Sequence, residues 1–147
     1  LMGDMAQTFY ISTLSKQTRV PVKTIRYYED VGLLPKPSRT ASGYRLYTSD
    51  SVDRLQFIKK AKNLGLRLDE IKEILDLADR GRCPCGHVQT FLKTRLRELQ
   101  QKIADLRLVE RRVKMAVSQG CPPNFKPRGK AICPTIQRQP TTKGRWR

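Results

Sequence analysis

Soft metal ligands are scarce in this chain: among 147 residues there are only four Cys and one His. So few thiols do not make a disulfide framework, and in a reducing compartment they read as free. Acid is short as well, with 13 Asp and Glu against 30 Lys and Arg. A lone His, no paired acid cluster and no phosphate-cradling glycine loop argue against an enzyme. No apolar run approaches the roughly 18 residues of a membrane span. The opening LMGDMAQTFY lacks the charged start and apolar centre of a signal peptide. Leu1 ahead of Met2 reads as a leftover of expression. A cytoplasmic protein with no membrane partner is expected.

What the chain does carry is positive charge, +17 net. Such an excess favours a polyanionic partner such as nucleic acid. Much of it lies at the end: ten Lys or Arg and no acid fall between Arg111 and Arg147.

Three segments differ in pattern. From about Tyr10 to Ala78 the spacing predicts a mainly helical domain. YISTLSKQT forms a short helix that Ser12 or Thr13 caps. PVKTIRYYEDVGLL forms a second, with Pro21 in its first turn, Val22, Ile25 and Tyr28 on one face, and Gly32 as the stop. Two short helices across a tight turn make a helix-turn-helix. PKPSRTASGYRLYTSD, with two prolines and a Ser-Gly turn, reads as a β-hairpin wing returning along YRLY. A third helix carries Val52, Leu55, Phe57, Ile58, Ala61 and Leu64 and ends at Gly65. A fourth carries Leu68, Ile71, Ile74, Leu75 and Ala78.

From about His87 to Ser118 there is no Pro and no Gly. Leu92, Leu96, Leu99, Ile103, Leu106, Val109, Val113 and Val117 recur at steps of three and four, close to a heptad seam. The helix so predicted is roughly 48 Å long. One apolar stripe on so long a helix needs a partner. The chain holds no second helix of that length, so the simplest partner is the same helix of another copy, parallel or antiparallel. The remainder, GCPPNFKPRGKAICPTIQRQPTTKGRWR, is rich in Pro and Gly. Its first half forms an ordered loop if its cysteines are tied down, and disorder is expected after Gln137.

The thiols sit at the borders of these segments. CPCGHV places Cys83, Cys85 and His87 just before the long helix; Cys121 lies just after it and Cys133 closes the loop. In an antiparallel pair, Cys85 of one copy would meet Cys121 and Cys133 of the other. Converging thiolates select soft cations. A helix dipole would also lower the pKa of Cys85. The same placement suits a redox sensor in which Cys83 and Cys85 cycle to a disulfide. Cys83 and His87 are extra ligands at most, His87 reading first as a surface residue.

The segments TIRYYEDVGLL, SGYRLYTSDSVDRLQFIKKAKNLGLRLDEIKEIL, KIADL and CPTI resemble the MerR family of bacterial transcription regulators, and within it the heavy-metal sensors. The resemblance spans Tyr10 to Gln137. It implies a winged helix-turn-helix DNA-binding domain with connector helices over 8–80, a dimerisation helix over 86–119 paired antiparallel through 87–118, a metal-binding loop over 120–137 and a disordered basic tail over 138–147. It implies Cys85, Cys121 and Cys133 as ligands of a divalent ion, with Hg(II) favoured by the CPTI ending and Cd(II), Pb(II) and Zn(II) open. Cys83, the two extra residues before Cys85 and a longer Cys121–Cys133 loop depart from the mercury-sensing pattern.

On the DNA side, Lys23, Thr24, Arg26 and Tyr27 lie on the second helix. Arg26 suits guanine or phosphate, and the Tyr27 hydroxyl suits phosphate. Arg39, Tyr44 and Arg45 on the wing match backbone-touching residues of the family. Lys60 on the third helix is a phosphate candidate. The implied activity is metal-responsive activation of a promoter by DNA distortion, with RNA polymerase as an indirect partner.

Overall fold

A computed structural model of the chain describes residues 7–141. Leu1, and the part of the expected basic tail from residue 142 onward, lie outside the described residues. The chain divides into two units, one running to Arg95 and the other from Leu96.

In the first unit, β1 (Phe9–Tyr10) leads into α1 (Ile11–Thr18), followed by α2 (Val22–Asp30), β2 (Ser38–Arg39), β3 (Arg45–Tyr47), α3 (Ser49–Asn63) and α4 (Leu68–Asp79). The helix-turn-helix and wing stand as the pattern predicted. The cap of α1 does not: the helix starts directly from extended Tyr10, no side chain caps it, and Ser12 and Thr13 lie inside its first turn. Pro21 is the residue before α2 rather than in its first turn, and its carbonyl accepts the Ile25 N–H at 3.0 Å.

The hydrophobic periods translate into burial. Leu14, Ile25, Leu55, Ile58 and Ile71 are fully buried, and Tyr28, Leu33, Leu34, Tyr47, Ile74 and Leu75 join the same core. Phe57 and Leu64, expected on the buried face of α3, stay exposed. Gly32 ends α2 because the turn needs φ +77, and the Leu33 N–H then bonds back to the Tyr28 carbonyl at 2.8 Å. That closure drives Leu33 and Leu34 into the core.

The wing is one strand wider than the hairpin reading. β3 pairs antiparallel with β2 on one side, Ser38 opposite Leu46, and with β1 on the other, Phe9 opposite Tyr47. Two residues carry no readable period, so β1 was invisible in the sequence. Its pairing clamps the wing to the start of α1.

The helix α5 spans Cys85–Gln119. Cys85 is therefore its first residue, not a residue ahead of it. Val88, Phe91 and Leu92 pack against the core of the first unit, which takes Leu92 out of the expected seam. In the second unit α5 buries nothing: Leu96, Leu99, Ile103, Leu106, Val113 and Val117 are all exposed. A loop follows and ends in α6 (Pro134–Gln137). Beyond it, Arg138 and Gln139 still bond back to Pro134 and Ile136 through their backbone N–H groups.

Candidate nucleic-acid interface and thiol site

α2 offers one buried and one open face. Ile25 and Tyr28 anchor it in the core, which leaves Lys23, Arg26 and Tyr27 exposed and Thr24 half-buried. Amphipathic spacing of three sets this outcome. On the wing, Arg39 is exposed and its guanidinium donates to the Gly43 carbonyl at 2.8 Å, bracing the turn. Tyr44 is 66% exposed and meets Tyr10 edge to face with ring centroids 6.3 Å apart. Tyr10, Ile11, Ser12, Tyr44 and Arg45 line a shallow pocket of about 390 Å³. Tyr10 thus extends the polar-aromatic surface of the wing, a role that only the β1–β3 pairing creates.

Arg45 is placed differently from the other wing residues. It is half-buried and pairs with Glu29 of α2 at 3.2 Å, where the Glu29 side chain is only 7% exposed. The other Glu29 oxygen accepts the hydroxyl of Tyr47. Burial, then the Glu29 hydrogen bond and the Glu29 charge, hold the Tyr47 hydroxyl well above the usual tyrosine range, against the opposing charges of Arg45 and Arg26. Arg45 therefore locks the wing to α2. Lys60 is exposed on α3. Its neighbour Lys59, unremarked in the sequence, donates to the Thr18 carbonyl at 2.8 Å and ties α3 to the end of α1.

A second node also escaped the sequence. Arg54 of α3 donates to the Leu33 carbonyl at 2.7 Å and grips both carboxylate oxygens of Asp79 at 2.7 and 2.9 Å. That hydrogen-bonded guanidinium holds the Asp79 carboxyl below its ordinary value. One side chain joins the turn after α2 to the last residue of α4.

The thiols fall into two pairs, each within its own unit. Cys83 and Cys85 are both exposed. The side-chain hydrogen bond from Cys85, then the Cys85 N–H, pull the Cys83 thiol below its ordinary value. The same bond, with the Cys83 charge, pushes Cys85 up. Cys85 is thus not the lowered thiol that the helix dipole led one to expect: the hydrogen bond between the two side chains favours the charge on Cys83. His87 is not aimed at them. Its Nδ1–H donates to the Glu73 carboxylate at 2.9 Å, and its ring stands edge-on to Phe91. In the second unit, the Ile136 N–H, followed by the N–H and hydroxyl of Thr135 and the thiol of Cys121, hold the Cys133 thiol below its ordinary value, with burial acting the other way. Among the described residues no group of three His, Cys, Asp or Glu could hold a metal ion within one chain. Also among them, no helix is long and apolar enough to cross a membrane.

Comparison with known proteins fits this geometry. The family model described as MerR HTH family regulatory protein matches residues 9–78, and a second, MerR, DNA binding, matches 52–115. The mercuric resistance operon regulatory protein of Bacillus cereus is 41% identical over 116 residues, covering 79% of this chain and 87% of its own length.

The chain belongs to the MerR family.

As a member it is a DNA-binding transcription regulator and not an enzyme. Two solved structures of related regulators hold a metal ion. The regulator from Ralstonia metallidurans in complex with lead(II) superposes with a TM-score of 0.71 at 31% identity, covering 88% of this chain and 97% of that one. The Bacillus megaterium MerR in complex with mercury(II) gives 0.60 at 36%, with the same coverage of both chains. The MerR fold, with its small wing sheet and long α5, is the fold described above.

Proposed function

We propose that this MerR-family protein is a soft-metal sensor that binds promoter DNA as an antiparallel homodimer and activates transcription by distorting the DNA when the ion binds at thiolates across the dimer. One observation carries the reading. α5 opens at Cys85 and ends at Gln119, two residues before Cys121, while its apolar stripe between is exposed. A stripe of Leu96, Leu99, Ile103 and Leu106 in water is unfavourable, at roughly 25 cal/mol per Å² of apolar surface. A second α5 laid head to tail covers it. The same act brings Cys85 of one copy to Cys121 and Cys133 of the other, and forms two sites per dimer.

The donor set fits the ion class. Exposed thiols at Cys85 and Cys121, with a half-buried one held toward thiolate at Cys133, suit Hg(II), Cd(II), Pb(II) or Zn(II) over hard cations. The likeness to a mercuric-resistance regulator favours Hg(II). Lys23, Thr24, Arg26, Tyr27, Arg39, Tyr44 and Lys60 form the DNA surface, with Arg45 orienting the wing. Deforming a 20–30 bp site costs about 1–6 kcal/mol, so the ion must favour the distorted complex by a comparable amount. RNA polymerase then meets promoter elements in register, in the cytoplasm.

A mixing experiment tests the shared site. Cys85→Ser protein and Cys121→Ser/Cys133→Ser protein each lack every complete site. A heterodimer of the two regains one intact site only if ligands cross between copies. The isolated heterodimer is expected to show ultraviolet thiolate-to-Hg(II) absorption at half the wild-type stoichiometry; no recovery in it would end the proposal.

The hydrogen-bonded Cys83–Cys85 pair supports a second reading, a thiol-redox regulator. The two thiols would give two electrons and two protons to hydrogen peroxide, which becomes two waters as the disulfide forms. Mass analysis after peroxide treatment separates the readings: a Cys83–Cys85 disulfide that alters promoter output in metal-free protein favours redox control.

A further inference from the structure

The loop between α5 and α6 has no hydrophobic means of holding its shape. None of its residues from 121 to 132 is buried. α6 has four residues, far fewer than a helix needs to be stable alone. Yet Cys133, the residue joining loop to helix, has both its main-chain polar groups engaged by a single residue. The Gln137 carboxamide oxygen accepts the Cys133 N–H at 3.1 Å and the Ile132 N–H at 2.9 Å. The Gln137 N–H donates to the Cys133 carbonyl at 2.9 Å. The carboxamide nitrogen completes the set by donating to the Lys130 carbonyl at 2.8 Å.

We infer that Gln137 is a positioning residue for metal sensing: its carboxamide fixes the backbone at Cys133, so that the sulfur is presented in a set direction before the ion arrives. The inference rests on the proposed reading of Cys133 as a ligand. Only a carboxamide can do this, because the role needs an oxygen accepting two N–H groups and a donor in the same plane. A carboxylate accepts but cannot donate to Lys130, and sets its charge against that carbonyl. Without the brace, the ordering of residues 130–133 would fall on the binding step and weaken it. Partners that orient a ligand in this way typically change metal affinity by about 10–100-fold when removed.

The test uses full-length dimer, titrated separately with Hg(II) and Cd(II) against a competing small thiol, with thiolate-to-metal absorption as readout. Gln137→Ala, Gln137→Glu and Cys133→Ser are compared with wild type. Gln137→Ala is expected to lower affinity about 10–100-fold, and Gln137→Glu by less. Metal-free thermal unfolding and promoter binding should stay unchanged, which a merely structural role would not allow. Wild-type affinity in Gln137→Ala beside a large loss in Cys133→Ser overturns the inference and leaves the three-thiol site standing. Wild-type affinity in Cys133→Ser removes both.

Discussion

Glu29 on α2 and Arg45 on the wing form an ion pair at 3.2 Å, with the Glu29 side chain almost wholly buried. The same carboxylate accepts the Tyr47 hydroxyl. α2 and the wing, the two elements proposed to meet DNA, are thereby held to one another by one acid. Glu29→Ala leaves Arg45 and Tyr47 without their acceptor, a loss of about 1–3 kcal/mol. Chemical unfolding should register that cost, and promoter affinity should fall with it as the wing loses its angle.

Tyr47 gives this node a pH signature. Its pKa is raised above the ordinary tyrosine value by burial and by Glu29. A raised folded-state value means stability is intact below about pH 10 and is lost as pH climbs from there toward the folded value. Denaturant unfolding between pH 9 and 11 should show a steeper decline in wild type than in Tyr47→Phe. Parallel curves would mean that Tyr47 ionises as freely in the folded chain as in the unfolded one.

Arg54 and Asp79 have the opposite sign. Asp79 is lowered by the Arg54 hydrogen bond, so its contribution is present above about pH 4 and fades as acid drives the pH through the lowered value. The Asp79 side chain is 53% exposed, and solvent screening keeps the pair at about 1 kcal/mol or less. Asp79→Asn should be less stable than wild type at pH 6, and the gap should narrow steadily as the pH is lowered below about 4. Arg54→Met should lose more, because the Leu33 carbonyl loses its partner too.

The apolar stripe of α5 predicts oligomeric state. Ile103, 48% exposed in one chain, would face its counterpart helix in the dimer. Ile103→Glu should sediment as a monomer at concentrations where wild type is dimeric, and should lose metal absorption at the same time. A dimeric Ile103→Glu protein would mean that the stripe is not the interface.

On DNA, Arg26 and Lys60 should separate by salt. Lys60→Ala is expected to weaken binding to all sequences alike and to reduce the salt slope by about 1. Arg26→Ala, if it reads a base, relaxes discrimination by about 1–3 kcal/mol at one position. Competition binding against single-base promoter variants at two salt concentrations distinguishes them.

The sequence by itself determined the first five helices and the wing, because each is written in local terms: spacings of three and four, Gly where φ must be positive, Pro where a helix begins. It also determined that thiols flank α5. Tertiary structure decided what no local pattern encodes. Phe9 and Tyr10 became a strand only by pairing with β3. Arg45, one basic wing residue among several in the sequence, found Glu29 sixteen positions earlier. Arg54 bridged Leu33 and Asp79, and Cys83 rather than Cys85 took the lowered pKa. These outcomes depend on which groups folding brings within hydrogen-bonding reach, and residue type alone does not fix that distance.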